Sequence, residues 1–263
     1  MSGGLQLRWA RVALAALVLV VAIGLTPAMV PRAFVHYEHA PELQSVPKQT
    51  ENAHRISADP VNVALVGTEP EVLNAFQRAG WPRAEPLSWR SRIAIARSVL
   101  RHSPDSTAPV SPLFLFGRVE DLAFEREVGP SASQRHHIRL WEVPGLSLDG
   151  RPVWVGDATY DLRAGISHRG LHPTHHIARD IDAERDTVLA NLAAAGQLAG
   201  RFEVTGIGPR IGARNAEGDK YDTDGEMAVG ILSPGNAPQP PPEKLPDPPL
   251  VRFKNSIWRM LKR

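Results

Sequence analysis

The 263-residue chain contains no cysteine. Disulfides and thiolate metal sites are therefore excluded, and any metal would be held by imidazole and carboxylate groups. Net charge of one sign is also lacking: 30 lysines and arginines face 28 acids, leaving +2. The basic residues are spread out and lack interleaved stacking aromatics, so nucleic acid is not an expected partner. Several catalytic signatures are missing as well. No HExxH is present, and Gly165-Ile166-Ser167-His168-Arg169-Gly170 is one residue too long for a Gly-x-Ser-x-Gly elbow. The glycines at 206, 208 and 212 have the wrong spacing for a dinucleotide loop, and no helix pattern follows them. Asp222-Thr223-Asp224-Gly225 echoes a calcium loop, but an EF-hand would then begin at Lys220 and end at Ile231, neither of them a ligand. A turn is the expected role for that tetrapeptide.

The chain is long enough for one sizeable domain with terminal extensions. Residues 1–11 include Arg8 and Arg11 and precede a nearly unbroken apolar run from Val12 to Val30. At 1.5 Å per residue this run reaches about 28 Å, close to the hydrocarbon thickness of a bilayer. The expectation is one N-terminal transmembrane helix over 12–31, with a cleaved signal peptide as the rival reading. The flanking charges keep the N-terminus in the cytoplasm and the remainder outside, as in a single-pass protein of a bacterial inner membrane. Residues 32–58 mix proline with polar residues and read as a linker.

A domain over 59–232 follows. Val61 to Gly67 reads as a buried strand, and Thr68-Glu69-Pro70-Glu71 as a capping box opening a helix that buries Val72, Leu73 and Phe76 and stops at Gly80. After Ser88, Trp89, Ile93, Ala96 and Leu100 mark a second helix with Arg90, Arg92, Arg97 and Arg101 on its other side; an ordinary solvated face explains these as well as an anionic ligand does. Short strands are expected at 113–116 and 122–125, a helix from about Asp182 to Leu198, and closing strands at 201–205 and 227–232. Asp180, Asp182 and Glu184 oppose the dipole of the helix they precede. Eight prolines between Pro234 and Pro249 make 233–249 a stiff tail. In 250–263, Leu250, Phe253, Ile257 and Leu261 line one helical side among Arg252, Lys254, Arg259, Lys262 and Arg263. Such a basic amphipathic segment suits an anionic membrane or a partner's groove, or folds back on the domain.

Six of the ten histidines lie between Gln134 and Asp186. QRHHIRLW and RPVWVGDATYDLRAG alternate as strands do, so Arg135, His137, Arg139 and Trp141 share one face while His136, Ile138 and Leu140 share the other. In the second strand Asp157, Thr159 and Asp161 form one row. Antiparallel pairing would set His137 and Arg139 beside Asp157 and Asp161, with a loop carrying His168, His172, His175 and His176 closing over one end.

SPLFLFGRVEDLAF, QRHHIRLW, DGRPVWVGDATYD and THHIARDIDAERD, with VNVALVG upstream and GPRIGARNAEGDKYDTDGEMAV downstream, resemble the LssY C-terminal domain family over about 59–232. The resemblance implies a bacterial envelope protein and no particular reaction. Ala178 and Arg179 depart from it, where an acidic residue and proline would follow His-His-Ile.

The expected architecture is α+β: one mixed, mainly antiparallel sheet with flanking helices behind the membrane segment. The leading expectation for function is a membrane-anchored, extracytoplasmic accessory or ligand-binding domain, its partners the membrane and an anionic lipid headgroup or envelope protein bound through arginine. The alternative is a metal-dependent hydrolase or phosphoesterase acting on an envelope lipid or phosphate ester. Candidate catalytic residues are His137, Arg139, Asp157, His168 and His175; candidate ligands for a divalent zinc, iron or manganese are His137, Asp157, His168, His175 and His176. Arg169-x5-His175-x4-Asp180 falls one residue short of agreement with a lipid-phosphatase motif whose histidine is the nucleophile. A purely structural hydrogen-bond network of the same side chains competes with all of these readings.

Overall fold

The computed structural model describes residues 39–84, 112–128, 134–169, 173–235, 240, 242–247 and 249–261, together with Leu14 and Leu17. The chain divides into two units, Met1–Pro41 and Glu42–Arg263, and the fold that follows is that of the second. The expected membrane segment, apart from Leu14 and Leu17, lies outside the described residues, as do the arginine-bearing helix after Ser88 and His172. No helix among the described residues is long and apolar enough to cross a membrane.

In chain order the strands are β1 (Gln49–Glu51), β2 (Ser57–Pro60), β3 (Val63–Val66), β4 (Phe114–Leu115), β5 (Arg118–Val119), β6 (Leu122–Glu127) and β7 (Arg135–Leu148). They continue with β8 (Arg151–Ile166), β9 (Pro173–Ile177), β10 (Leu198–Thr205), β11 (Arg210–Arg214), β12 (Lys220–Thr223), β13 (Glu226–Leu232) and β14 (Glu243–Lys244). The helices are α1 (Glu69–Arg78), α2 (Ile181–Ala194) and α3 (Pro249–Leu261). This is the expected α+β class, but with three sheets among the described residues rather than one. The largest has eight strands in the order β14-β10-β13-β3-β8-β7-β6, with β9 paired to the far end of β8. It is mixed, because β3 runs parallel to β13 and β14 parallel to β10. A four-stranded sheet, β2-β1-β4-β5, and the β11-β12 pair complete the set.

The stretch read as a linker supplies two of those four strands. Its hairpin is closed by Asn52, whose side chain accepts from the backbone of His54 and Ile56, and Thr50 exchanges hydrogen bonds with the backbone of Asp59. Pairing between strands, rather than side-chain periodicity, gives these short segments their structure, which is why composition alone suggested a tether. The 113–116 and 122–125 strands likewise separate, one to each sheet.

One face of the large sheet carries α1 and α2 over an apolar core in which Phe76 stacks on Phe124 at 4.1 Å between ring centres. The capping box is present: Thr68 Oγ1 accepts from Glu71 N, and Glu71 Oε2 accepts from Thr68 N at 2.7 Å. Gly80, at φ 75°, ends the helix turn. The helix expected from Asp182, α2, starts one residue earlier and ends sooner: Asp180 is its N-cap, and after Ala194 the chain turns at Gly196 so that Leu198 opens β10. The other face of the large sheet meets the small one. Asn62 joins β3 to β8, its side chain bonding both the N–H and the carbonyl of Ala158, and Trp141 Nε1 donates to the carbonyl of Arg118. At Gly156 a Cβ would run into the carbonyl of Arg139, so glycine is required for this close pairing.

The C-terminal tail returns to the domain through β14 and α3. Val251 and Trp258 are buried beneath α3, Lys254 binds Glu226 at 2.6 Å and the carbonyl of Asp224 at 2.9 Å, and Phe253, Ile257, Met260 and Leu261 face outward. Under α3, burial and a hydrogen bond with Glu203 push the Glu226 carboxyl up to about 8, from 4.5. Between those values the folded chain holds a proton that the unfolded chain has lost. The associated stability is complete below about 4.5 and is lost as pH rises through 8. Glu203, held low chiefly against its own burial by the Glu226 hydrogen bond and nearby Arg185 and Lys244, contributes in the opposite direction and only in acid. Thermal unfolding followed from about pH 6 to about pH 9 will therefore show falling stability, at most about 1.4 kcal/mol per pH unit; Glu226→Gln will flatten that slope.

Candidate functional site

The registered pairing of β7 with β8 places Arg135 opposite Asp161, His137 opposite Thr159 and Arg139 opposite Asp157. Strand alternation turns all six toward the small sheet, while His136, Ile138 and Leu140 go to the helix side. There His136 Nδ1 meets Glu184 at 2.7 Å and its ring lies against Trp81 and Tyr160. On the other side Arg139 donates to Asp157 at 3.0 Å, and Arg135 bridges Glu125 at 2.9 Å and Asp161 at 3.1 Å.

A cavity of about 40 Å³ opens between the two sheets. Its wall includes Asp59 of β2, His137 and Arg139 of β7, Thr159 and Asp161 of β8, His175 of β9, and Asn215 to Glu217. His137 is only 7% exposed, with its side chain on the cavity wall. Burial, reinforced by the charges of Arg139 and Arg135, holds its pKa well below that of a free imidazole, so it is neutral and offers one donor and one acceptor. His175 is likewise lowered by burial, which the attraction of Asp161 only partly offsets, and its Nδ1 is buried without a partner among the described residues. Burial raises Asp59, although Arg139 and the 3.0 Å hydrogen bond from Asn215 pull the other way. Asp157 is driven well above the carboxylate range by burial, with Arg139 only partly compensating, and its Oδ1 has no partner. Asp59, His137 and His175, perturbed together on one cavity, mark a candidate site.

A second cluster lies around Asp219. His176 Nδ1 is 2.8 Å and His168 Nε2 3.3 Å from Asp219 Oδ1, and the ligand atoms of the three residues lie within 4.8 Å of one another. Asp219 Oδ2 accepts from the backbone N–H of Ile177 at 3.2 Å. The five expected metal ligands therefore do not converge. His168 and His176 come together, His137 and His175 face the cavity, and Asp157 is committed to Arg139. The adjacent pair separates because His175 and His176 stand in β9 rather than in a loop, so they project to opposite faces. The five catalytic candidates divide in the same way: only His137, Arg139 and His175 line the cavity. The phosphatase-like grouping is not assembled either, since Asp180 caps α2 by accepting from Ala183 N, and His175 Nδ1 has no partner among the described residues.

Asp59, Asn215 and Asp219 were not anticipated from sequence. Asn215 caps its own turn, accepting from Glu217 N and Asp219 N, while donating to Asp59. The Asn-Ala-Glu-Gly-Asp run carried the local turn signal; nothing local pointed to its long-range partners. Asp182 and Glu184 also do more than favour a helix start, and Asp224 more than make a turn. Asp182 accepts from Thr223 Oγ1 and Asp224 N, and buried Arg185 binds Asp224 through two nitrogens at 2.8 and 3.2 Å.

Residues 43–227 match the family described as LssY C-terminus. No curated protein and no solved structure matches the chain.

Removing Arg139 alone strands Asp157, which is 1% exposed. Arg139→Met is expected to cost about 3 kcal/mol in urea unfolding, because breaking a buried pair leaves one charge or its proton uncompensated. Arg139→Met combined with Asp157→Leu will recover most of that loss.

Proposed function

The chain belongs to the LssY C-terminus family, and from that premise we propose that it is a membrane-anchored, extracytoplasmic accessory domain of the bacterial envelope that binds a ligand at the intersheet cavity. The observation that carries this reading is His175 Nδ1, buried with no hydrogen-bond partner among the described residues, at the wall of a polar cavity that it shares with the buried, neutral imidazole of His137. A buried polar group without a partner costs free energy, on the order of 1–3 kcal/mol, that a bound polar atom would recover. About 40 Å³ accommodates the compact end of a ligand, such as a hydroxyl or amine.

The arginines support a narrower choice of ligand than their number suggests. Arg135 and Arg139 already face carboxylates, so they do not offer an unneutralised pair to an anion. The cavity suits the neutral or cationic polar end of an envelope lipid headgroup or glycan. Anion attraction fits α3 better, where exposed Phe253, Ile257, Met260 and Leu261 stand beside Arg252 and Arg259. An outward apolar stripe with basic flanks suits an anionic bilayer surface, and a membrane segment over 12–31 would hold the domain at such a surface.

A metal-dependent hydrolase acting on an envelope lipid or phosphate ester is the second reading. The histidine–carboxylate cluster at Asp219 is the observation that favours it.

Ligand-observed NMR with glycerol phosphate, phosphoethanolamine and hexoses tests the cavity. Binding of at least one probe, abolished in a folded His137→Ala variant, is expected; silence from every probe, or binding indifferent to that change, would remove this reading. For the surface, the Glu42–Arg263 unit is expected to sediment with phosphatidylglycerol vesicles and not with phosphatidylcholine. Phe253→Glu with Ile257→Glu will weaken that association at least about tenfold, given some 1.5–3 kcal/mol for each buried apolar side chain.

A further inference from the structure

We propose that His168, His176 and Asp219 form a binding site for a divalent transition metal of the zinc class, and that the metal clips the 215–219 turn to β9 and to the end of β8. The metal site does not depend on the cavity reading, and it deepens the second reading without requiring any reaction.

The donor set is suited to the ion. Two imidazoles and one carboxylate are favourable ligands for zinc, iron(II) or manganese(II), and a chain without cysteine has no thiolate alternative. The geometry is close to what a metal requires. A tetrahedral ion with bonds of about 2.1 Å separates its ligands by about 3.4 Å. Here one oxygen, Asp219 Oδ1, lies 3.3 Å from His168 Nε2 and 2.8 Å from His176 Nδ1. Those two edges need to open by about 0.1 and 0.6 Å, and the imidazole–imidazole edge, now within 4.8 Å, needs to close by about 1.4 Å at most, movements that side-chain rotation supplies.

The surroundings are shaped for these side chains. Gly165 stands beneath the His176 ring, where a Cβ would come within 2.6 Å of two ring atoms. Gly218, at φ 89°, lets the turn press on His168, where a Cβ would come within 2.8 Å of the histidine Cβ. The carboxylate is oriented from behind by Ile177 N–H, as metal-ligating carboxylates commonly are. His168 N–H also donates to the carbonyl of Glu217 at 3.0 Å, so the first ligand is tied by its backbone to the turn that carries the third. The side chain of His168 is 54% exposed, which leaves an entry path from solvent and a position for water on the ion.

The consequence reaches the cavity. Asn215, Ala216 and Glu217 line it, and Asn215 donates to Asp59. An ion at Asp219 would hold the same turn from its other end and brace that wall.

The test uses the full chain, purified without chelator and supplemented in turn with zinc, iron(II) and manganese(II), with metal content and thermal midpoint both measured. Stoichiometric uptake of one of these ions, a rise in the midpoint, and loss of both effects in His168→Ala and Asp219→Asn are expected. His168→Ala removes a half-exposed side chain, so its fold is checked independently by circular dichroism, and His176→Ala extends the series. Absence of uptake in the wild-type chain overturns the site, as does uptake that survives all three substitutions. Loss of metal binding with intact headgroup binding separates this site from the cavity. Metal binding without hydrolysis of phosphate esters or lipids would keep the site and remove the hydrolase.

Discussion

Arg139 and Asp157 face one another across the two longest strands, and both are almost wholly buried. A sheet covered by helices on one side and by a second sheet on the other has no solvated face for charge. Ions placed there are destabilising unless matched, since the cost of leaving water is recovered only by a partner of opposite sign at hydrogen-bond distance. The register of β7 on β8 is consequently constrained by more than backbone pairing. A slip of one residue would turn Ile138 and Leu140 into the polar interior and send Arg139 into the apolar core under α1. Gly156 tightens this further, because its missing side chain admits the Arg139 carbonyl.

The same parity rule distributes the histidines. His136 and His137 are neighbours in sequence, yet one meets Glu184 on the helix side and the other faces the cavity. His175 and His176 are divided likewise, the first toward the cavity and the second toward Asp219. Two His-His pairs that look like one dense metal motif thus supply three separate environments. The density of histidine in this stretch reflects two strands that each pass a pair of them through the sheet.

Much of this was legible in the residues. Alternation in QRHHIRLW and RPVWVGDATYD specified which side chains share a face, and the capping box of Thr68 and Glu71 formed as its spacing implied. What could not be read was whatever depends on distant chain segments. The strands at 49–51 and 57–60 are too short for periodicity to mark them, and they exist because each finds a partner. Asp59 and Asn215 are 156 positions apart, so neither carries any local sign of the other. The end of α2 was placed too late because Leu198 continues an apolar pattern that helix and strand share; Gly196 and the pairing with β13 decide it. In α3, Phe253, Ile257 and Leu261 of the obvious apolar stripe stay outside while Val251 and Trp258 dock, since Lys254 and Asn255 between them find acids on the domain.

The 215–219 turn joins these features mechanically. Asn215 organises it from within, accepting from two of its backbone N–H groups, and donates from its amide nitrogen to Asp59 of the small sheet. Asp219 closes the far end against the edge strand β9 through Ile177 N and His176. Between them, Ala216 and Glu217 form part of the cavity wall. Asn215, Ala216, Gly218 and Asp219 are all buried, so packing as well as polar bonds holds this turn in place. The ion proposed at Asp219 would bear on this same turn, whose residues 215–217 form the wall near His137. The same short turn thus contributes to the cavity wall and to the histidine–carboxylate cluster, so the two places share one structural support.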